Sequence, residues 1–163
     1  MVVKADQLKQ VMRNWTTGVA IVSSCFNGDT HGMTVNSFTS ISIDPAMVVV
    51  TLANNTHTCQ MVKKSLVFGV TILSSQQKSV SDRFAGKVSD VENRFSGLNT
   101  FFLNSDVPFL SDGLAWLDCK VITEYNLEHS TLFIADVIAV RENGGEPLLY
   151  HDRDYYRLGE KNG

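Results

Sequence analysis

Apolar residues near the N-terminus recur at the spacing of one helical face. Positions i, i+3, i+4 and i+7 of this segment are Leu8, Val11, Met12 and Trp15. Asp6 precedes them, and its carboxylate can cap the start of a helix or place a negative charge there. The pattern therefore predicts a first helix over residues 6–14 with one apolar face.

Most of the chain after this helix has the composition of β-strands. Asn27-Gly28 is typical of a tight hairpin because both residues tolerate positive φ. The short apolar run 47–52 predicts a strand that is buried on both faces. Other strands are predicted over residues 19–26, 33–35, 67–73, 113–124 and 132–141, with two short segments at 147–151 and 155–158.

Two further helices are predicted, and both are short. Asn54, Asn55 and Thr56 precede a helix over residues 58–64, whose last turn carries two lysines. Residues 75–84 are polar and compatible with a helix, and Gly86 ends it. Residues 87–112 show little periodicity and are interpreted as a long excursion from the regular structure.

This order of elements predicts a mainly β fold with a few short helices. Six or more strands joined by turns are typical of a closed antiparallel barrel. The helices are scattered and do not alternate with the strands, which argues against a doubly wound parallel sheet. No repeat or linker interrupts the chain, so residues 1–163 are interpreted as a single domain.

Composition and charge exclude several classes of partner. The chain has 163 residues, a net charge of −3 and a pI near 5.7, so no basic excess favours nucleic acid or an anionic membrane. No apolar stretch is long enough for a membrane span or a secretory signal. The three cysteines, Cys25, Cys59 and Cys119, are far apart, which predicts reduced thiols and a cytoplasmic location.

The common catalytic motifs are absent from the sequence. It has no G-x-G-x-x-G after a strand, no P-loop and no G-x-S-x-G elbow. The four histidines show no metal-ligand spacing, so no metal site is predicted. These observations argue against the common NTPases, hydrolases and zinc enzymes.

Four polar segments are candidates for ligand binding, and each also has a plain structural interpretation. The hydroxyl-rich segment 36–42 can bind the edge of a planar polar ligand, or it can simply decorate a strand edge. Residues 54–58 can hold a phosphate at a helix N-terminus, or can act only as caps. His129 lies at a turn, where histidines are usually solvent-exposed. Tyr150, Arg153 and Tyr155 can clamp a nucleotide or form an ordinary edge strand.

Taken in order along the chain, these segments resemble the flavin reductase-like family, which has the FMN-binding split barrel. The resemblance covers nearly the whole chain, and its most specific pieces are residues 32–42 and the segment that begins at His129. The matching pieces are residues 15–22 (WTTGVAIV), 32–42 (GMTVNSFTSIS) followed by Asp44-Pro45, 68–73 (FGVTIL), 82–86 (DRFAG), 114–119 (LAWLDC), 129–134 (HSTLFI) and 147–150 (PLLY).

The resemblance implies an antiparallel Greek-key split barrel and an NAD(P)H-dependent flavin reductase. Such an enzyme transfers hydride from NADH or NADPH to FMN or FAD and supplies reduced flavin to a partner monooxygenase. The alternative is a flavoprotein that holds FMN tightly and passes electrons to a protein, or a ferric reductase that passes them to a metal chelate. The resemblance also implies a homodimer with flavin near the interface.

The resemblance assigns site residues by position. The flavin ring and ribityl chain are expected along Thr34, Val35, Asn36, Ser37, Phe38, Thr39 and Ser40, with Phe84 and Ala85 also in contact. The flavin phosphate is expected at Thr56 and Thr58, with Asn54 and Asn55 leading in. His129 is expected near the docked nicotinamide, and Arg153 and Tyr155 match the family's R-x-Y ending.

Overall fold

Short helices and antiparallel strands make up the parts of the chain that the computed structural model describes, residues 2–88 and 93–161. The helices are α1 (Ala5–Met12), α2 (His57–Ser65) and α3 (Lys78–Phe84). The strands are β1 (Thr17–Gly18), β2 (Ala20–Phe26), β3 (Asp29–Val35), β4 (Phe38–Ser42), β5 (Met47–Ala53), β6 (Val67–Ile72), β7 (Thr100–Phe101), β8 (Phe109–Leu110), β9 (Ala115–Asn126), β10 (Ser130–Glu142), β11 (Leu149–His151) and β12 (Asp154–Tyr156).

Seven of the strands form one sheet in the order β3-β2-β6-β9-β10-β5-β4, and every neighbouring pair is antiparallel. The sheet curls around a core in which Val22 of β2, Val50 of β5, Phe68 of β6 and Phe133 of β10 are all buried. A second buried cluster includes Ile21 of β2 and Phe84 of α3. The predicted mainly β antiparallel fold is therefore confirmed. The two edge strands β3 and β4 follow each other in the chain, and no ladder joins them within the described residues. The barrel is thus split at the β3–β4 junction.

Local patterns predicted the hairpin and the second helix correctly. Asn27 and Gly28 both have positive φ, 53° and 86°, and join β2 to β3. Thr56 is the N-cap of α2, and its hydroxyl oxygen accepts a hydrogen bond from the Cys59 N–H at 3.3 Å. Leu66 in the left-handed conformation ends this helix.

Helix α1 is shorter than predicted, and its apolar face is not covered. The helix ends at Met12, it has no buried residue, and Lys4, not Asp6, occupies the N-cap position. The side chain of Trp15, beyond the helix end, is largely exposed. The helix joins the barrel through its C-terminal end, where the Asp152 N–H donates to the Arg13 carbonyl at 3.1 Å.

Strand β5 is buried on one face only, which corrects the prediction of burial on both faces. Val48, Val50 and Leu52 point into the core and are buried. Met47, Val49 and Thr51 face outward and are half-buried, and Ala53 is exposed. Within residues 2–88 and 93–161 no second layer covers the outer face of β5, so its apolar run is buried on one side only.

The predicted excursion is tied to the barrel by a buried carboxylate. Residues 93–112 contain β7 and β8, and the rest of the predicted excursion includes residues 89–92, which lie outside the described residues. Asp118 of β9 is fully buried and accepts hydrogen bonds from the N–H groups of Asn104 and Ser105 and from the Ser105 hydroxyl, at 2.7–2.9 Å. This carboxylate therefore fixes the loop between β7 and β8.

Within residues 2–88 and 93–161, no helix has both the length and the apolar character needed to cross a bilayer.

Candidate functional site

Two adjoining clefts open at the split between β3 and β4. They share Val19, Val35 and Asn36, so they form one continuous depression. The first cleft, of about 510 Å³, is lined by Val19, Thr34, Val35, Asn36, Ala85, Lys87, Tyr150 and Tyr155. The second cleft, of about 1010 Å³, is lined by Trp15, Thr16, Thr17, Gly18, Val19, Ala20, Val35, Asn36, Ser37, Phe38, Thr39 and Ile72.

The structure brings most of the residues expected to contact a planar ligand to these clefts. The six residues from Thr34 to Thr39 line one cleft or the other, and Ala85 and Tyr155 line the first. Ser40 lies further along β4, outside the lining, and is exposed. Phe84 is fully buried beneath Gly32, where its ring packs edge-on against Phe95 at 5.0 Å. The expectation that Phe84 contacts a ligand is therefore revised to a supporting role.

Two hydroxyls hold the β3–β4 junction in place. The Thr34 hydroxyl donates to the Ser81 carbonyl of α3 at 2.6 Å, and the Ser37 hydroxyl donates to the Thr51 carbonyl of β5 at 2.7 Å. Since each hydroxyl has one hydrogen, both oxygens retain only acceptor capacity toward a ligand. The Thr17 hydroxyl is buried beside the second cleft and has no hydrogen-bond partner in the described structure.

One wall of the first cleft is an aromatic and charged cluster. The rings of Tyr150 and Tyr155 meet edge to face at 5.4 Å. The Tyr155 hydroxyl lies 2.8 Å from the Ser81 hydroxyl and donates to Asp82 at 3.1 Å, while burial raises the pKa of Tyr155. Lys87 donates to the same Asp82 carboxylate at 2.8 Å, which lowers the pKa of Asp82 and raises that of Lys87.

The N-terminal end of α2 does not offer the two hydroxyls that the phosphate expectation requires. The Thr56 hydroxyl donates to the Ala53 carbonyl at 2.7 Å while it caps the helix. Thr58 is fully buried, and its hydroxyl lies 2.8 Å from His31 Nδ1. The expected role is therefore corrected for both side chains. Any phosphate bound here relies on main-chain N–H groups of the first turn.

His31 is a neutral, partly buried partner of Thr58. Its ring packs against the His57 ring with 4.7 Å between centroids. Burial, together with the nearby positive charge of Arg94, lowers the pKa of His31 to about 4. Arg94 is itself fixed by donating to the carbonyls of Gly32 and Phe84 at 2.9 and 2.8 Å. His31 therefore serves the packing of α2 against β3.

Asn54 forms hydrogen bonds that hold the β9–β10 turn, which contains His129. Its amide donates to the Leu127 carbonyl at 2.9 Å, and its amide oxygen accepts from the Thr131 hydroxyl at 2.6 Å. The main-chain N–H of Asn54 also donates to the His129 carbonyl at 3.0 Å. Asn55, next in the chain, is exposed. Asn54 thus connects the loop before α2 to the β9–β10 turn.

His129 and Arg153 also lie outside both clefts. The His129 side chain is 90% exposed, and its ring lies 3.7 Å from Glu128. Arg153 is exposed in the turn between β11 and β12, where its φ is 69°. The structure therefore separates His129 and Arg153 from the residues of the two clefts.

Several residues that line the clefts were not assigned from the sequence, and three of them are Trp15, Thr17 and Lys87. Trp15 was interpreted as part of a helical face, but the helix ends before it and its ring lines the second cleft. Thr17 follows it in a polar pair that the motifs alone did not single out. Lys87 directly follows Gly86, the glycine that ends the predicted helix. A glycine at this place does not indicate whether the next side chain lies in a cleft. The position of Trp15 beside a hydroxyl pair was the only available signal.

Comparison with known proteins gives one consistent group. The flavin reductase like domain family matches residues 12–159, a span that includes both clefts. The NADH-dependent flavin reductase StyB of Pseudomonas fluorescens is 35% identical over 152 residues, which are 91% of this chain and 86% of that protein. The reductase component of FADH(2)-dependent resorcinol hydroxylase from Rhizobium sp. (strain MTP-10005) is 31% identical, covering 92% of this chain and 85% of that protein.

Solved structures agree with the sequence relatives. The flavin reductase of styrene monooxygenase from Pseudomonas putida S12 matches with a TM-score of 0.83 and 32% identity, over 95% of this chain and 99% of that chain. The flavin reductase PheA2 matches with a TM-score of 0.89 and 29% identity, over 97% of this chain and 100% of that chain.

Proposed function

The chain belongs to the flavin reductase-like domain family, and from this membership we propose that it is an NADH-dependent flavin reductase that supplies reduced flavin to a monooxygenase. The observation that carries the proposal is the pair of adjoining clefts at the β3–β4 junction. Their lining contains the segment 34–39, to which the family resemblance assigns the flavin. The cytoplasm, where NADH is available, is the proposed location.

The polar groups of the clefts fit an isoalloxazine ring. The edge of that ring presents one N–H donor between carbonyl acceptors. The acceptor oxygens of Thr34 and Ser37 suit the N–H group, and the unpartnered Thr17 hydroxyl can donate to a carbonyl. Val19 and Val35 provide an apolar floor for the flat ring. We assign flavin binding to these residues, with Asn36, Phe38, Thr39 and Ala85.

The phosphate of the flavin is assigned to the N-terminal end of α2. The first-turn N–H groups of a nine-residue helix and the positive end of its dipole favour an anion there. The support comes from the main chain, since the Thr56 and Thr58 hydroxyls are engaged within the protein. Asn55, whose side chain is exposed beside this end, completes the assignment.

The chain contributes position and shielding to the reaction. When both nucleotides are bound, a hydride passes from carbon 4 of the nicotinamide to nitrogen 5 of the flavin, so NADH is oxidised and the flavin is reduced. The aromatic wall of Tyr150 and Tyr155 and the apolar floor exclude water from this transfer. A hydride transfer of this kind needs no protein general base. We assign His129 to binding of the nicotinamide nucleotide.

A homodimer is the proposed assembly. On the outer face, Val49 of β5 lies opposite Ile134 of β10, and Leu132 of β10 lies opposite Thr51 of β5, so three of these four side chains are apolar. Tyr125 of β9 pairs with Leu132 on the same face and is exposed. A second copy would cover this face, and two-fold pairing is the commonest symmetry. Light scattering is expected to give twice the 18.0 kDa of one chain, and Ile134→Lys is expected to give the monomer.

The decisive experiment measures NADH oxidation at 340 nm with and without added FMN or FAD. We expect oxidation that depends on added flavin, and reduced flavin that can be trapped outside the protein by a monooxygenase component. NADPH in parallel measures the nicotinamide preference. Absence of flavin-dependent NADH oxidation would contradict the proposal. Flavin that stays on the protein through dialysis and reduces only a protein or a ferric chelate would favour an electron-transfer role.

A further inference from the structure

The first cleft contains a cation that the family resemblance did not assign. Among the described residues that line the two clefts, Lys87 alone carries a formal charge. Its side chain is 54% exposed, so its ammonium group can reach a bound ligand. The ring of Tyr155 lies beneath the ammonium group, with Nζ 5.2 Å from the ring centroid.

The ion pair that holds Lys87 is easily exchanged. Lys87 Nζ lies 2.8 Å from Asp82 Oδ1, and both side chains reach solvent. An exposed pair of this kind adds little to stability. Asp82 also accepts a hydrogen bond from the Tyr155 hydroxyl at 3.1 Å. The carboxylate therefore keeps a donor when Lys87 leaves it.

We propose that Lys87 binds a phosphate group of a nucleotide in the first cleft, exchanging its Asp82 partner for the phosphate. The proposal rests on the proposed function, in which two phosphorylated nucleotides share the clefts. A lysine ammonium is a point charge on a flexible stem and suits a phosphate that approaches from solvent. The phosphate comes from the nicotinamide nucleotide or, in place of the α2 assignment above, from the flavin. The rings of Tyr150 and Tyr155 line the same cleft and offer apolar contact for a heterocycle.

Lys78 offers a matched control. Its ammonium group also lies over the Tyr155 ring, at 5.6 Å, and near a carboxylate, Asp154, at 3.9 Å. It lines a separate depression on the other side of Tyr155, with Ser75, Gln76 and Arg157. The two lysines therefore share a ring and a kind of ion pair but differ in access to the first cleft.

The experiment compares phosphorylated ligands with phosphate-free counterparts in binding assays. Equilibrium dissociation constants of FMN, riboflavin, NADH and dihydronicotinamide riboside are measured for the wild type, Lys87→Gln, Lys87→Arg and Lys78→Gln. We expect Lys87→Gln to weaken FMN or NADH about tenfold, which corresponds to the loss of one charge-assisted hydrogen bond. The phosphate-free partner of that ligand should change less than twofold. Lys87→Arg should retain most of the affinity, and Lys78→Gln all of it.

The dissociation constants distinguish the flavin phosphate from the phosphates of the nicotinamide nucleotide. Selective weakening of FMN assigns the flavin phosphate to Lys87, and selective weakening of NADH assigns the nicotinamide nucleotide. Unchanged affinity for all four ligands would overturn the proposal, as would equal weakening of a phosphorylated ligand and its phosphate-free counterpart. Because these are binding constants, they are informative even if the wild-type protein fails to oxidise NADH, which is the separate failure of the proposed function. Melting temperatures check that each variant is folded.

Discussion

At the β3–β4 junction, Thr17 has a hydroxyl without a partner and Lys87 has an ammonium group in solvent. At the N-terminal end of α2, the hydroxyls of Thr56 and Thr58 are both bonded within the chain. The two regions contain the same kinds of polar residue. They differ in whether hydrogen-bonding capacity is left over for a ligand, and residue type alone does not reveal that difference.

Thr58→Val is the strongest test of the difference between these two regions. The substitution keeps the shape of the side chain but leaves His31 Nδ1 without a partner in a buried position. We expect a loss of about 1–3 kcal/mol in the free energy of unfolding, measured by urea titration. FMN affinity relative to riboflavin should not change. A selective loss of FMN affinity with unchanged stability would restore Thr58 to phosphate binding.

As the pH falls, we expect the α2 region to lose stability at a higher pH than the cleft region. The pKa of His31 is about 4 in the folded chain, below its usual 6.5, because the ring is partly buried and faces Arg94 and His57. Between these two values the unfolded chain binds more protons, so stability should fall as the pH drops from about 6.5 to 4.

We expect His31 to account for about 1–2 kcal/mol of this fall, a value discounted for its partial exposure. Urea titrations at several pH values measure it. His31→Gln should flatten the dependence over this range. A slope in His31→Gln equal to that of the wild type would assign the effect to other groups.

The next largest effect is expected on NADH kinetics, from a substitution at His129 in the exposed β9–β10 turn. If His129 binds the nicotinamide nucleotide, His129→Ala should raise the Michaelis constant for NADH about tenfold, roughly 1.4 kcal/mol. The catalytic rate should fall only modestly, because hydride transfer depends on position. FMN affinity should stay near the wild-type value, because the flavin contacts are assigned to the clefts. Wild-type kinetics would make His129 an ordinary surface histidine.

The smallest effect is expected for Thr17→Val, which should increase the stability of the protein and decrease its affinity for flavin. Thr17→Val replaces the unpartnered hydroxyl with a methyl group, which should stabilise the ligand-free protein by about 0.5–1 kcal/mol. The same change should weaken flavin binding a few fold if the hydroxyl donates to the ring. Thermal melts and flavin titrations measure the two signs. Thr16→Val, at an exposed neighbour whose hydroxyl already pairs with His151 at 2.9 Å, is the control.

Local rules explain what could be predicted from the sequence. The Asn27-Gly28 turn and the Thr56 cap depend on neighbours within three residues, so their patterns are visible in the sequence. The orientation of Thr58 depends on His31, and that of Tyr155 on Asp82, 73 residues away. These pairings are created by the fold. The cleft segment 34–39 was predicted from the family resemblance, which assigns residues by position and does not depend on knowing their side-chain partners.

Burial of side chains on outward faces could not be predicted either. The Leu8, Val11 and Met12 face of α1 has the spacing of a buried helix, yet each of these residues is largely exposed. Among the residues that the structure describes, the apolar run of β5 likewise has no second layer. An amphipathic pattern shows that one face of an element is apolar and favours burial. It does not show whether the same chain or another chain packs against that face.

The Asp118 carboxylate bears on how this chain can change in length over evolution. It accepts three hydrogen bonds from Asn104 and Ser105, so an insertion or deletion between these residues and β8 would strand a buried charge. Insertions and deletions among descendants of this sequence should therefore be rare at residues 104–108, because these hydrogen bonds fix the length of the loop.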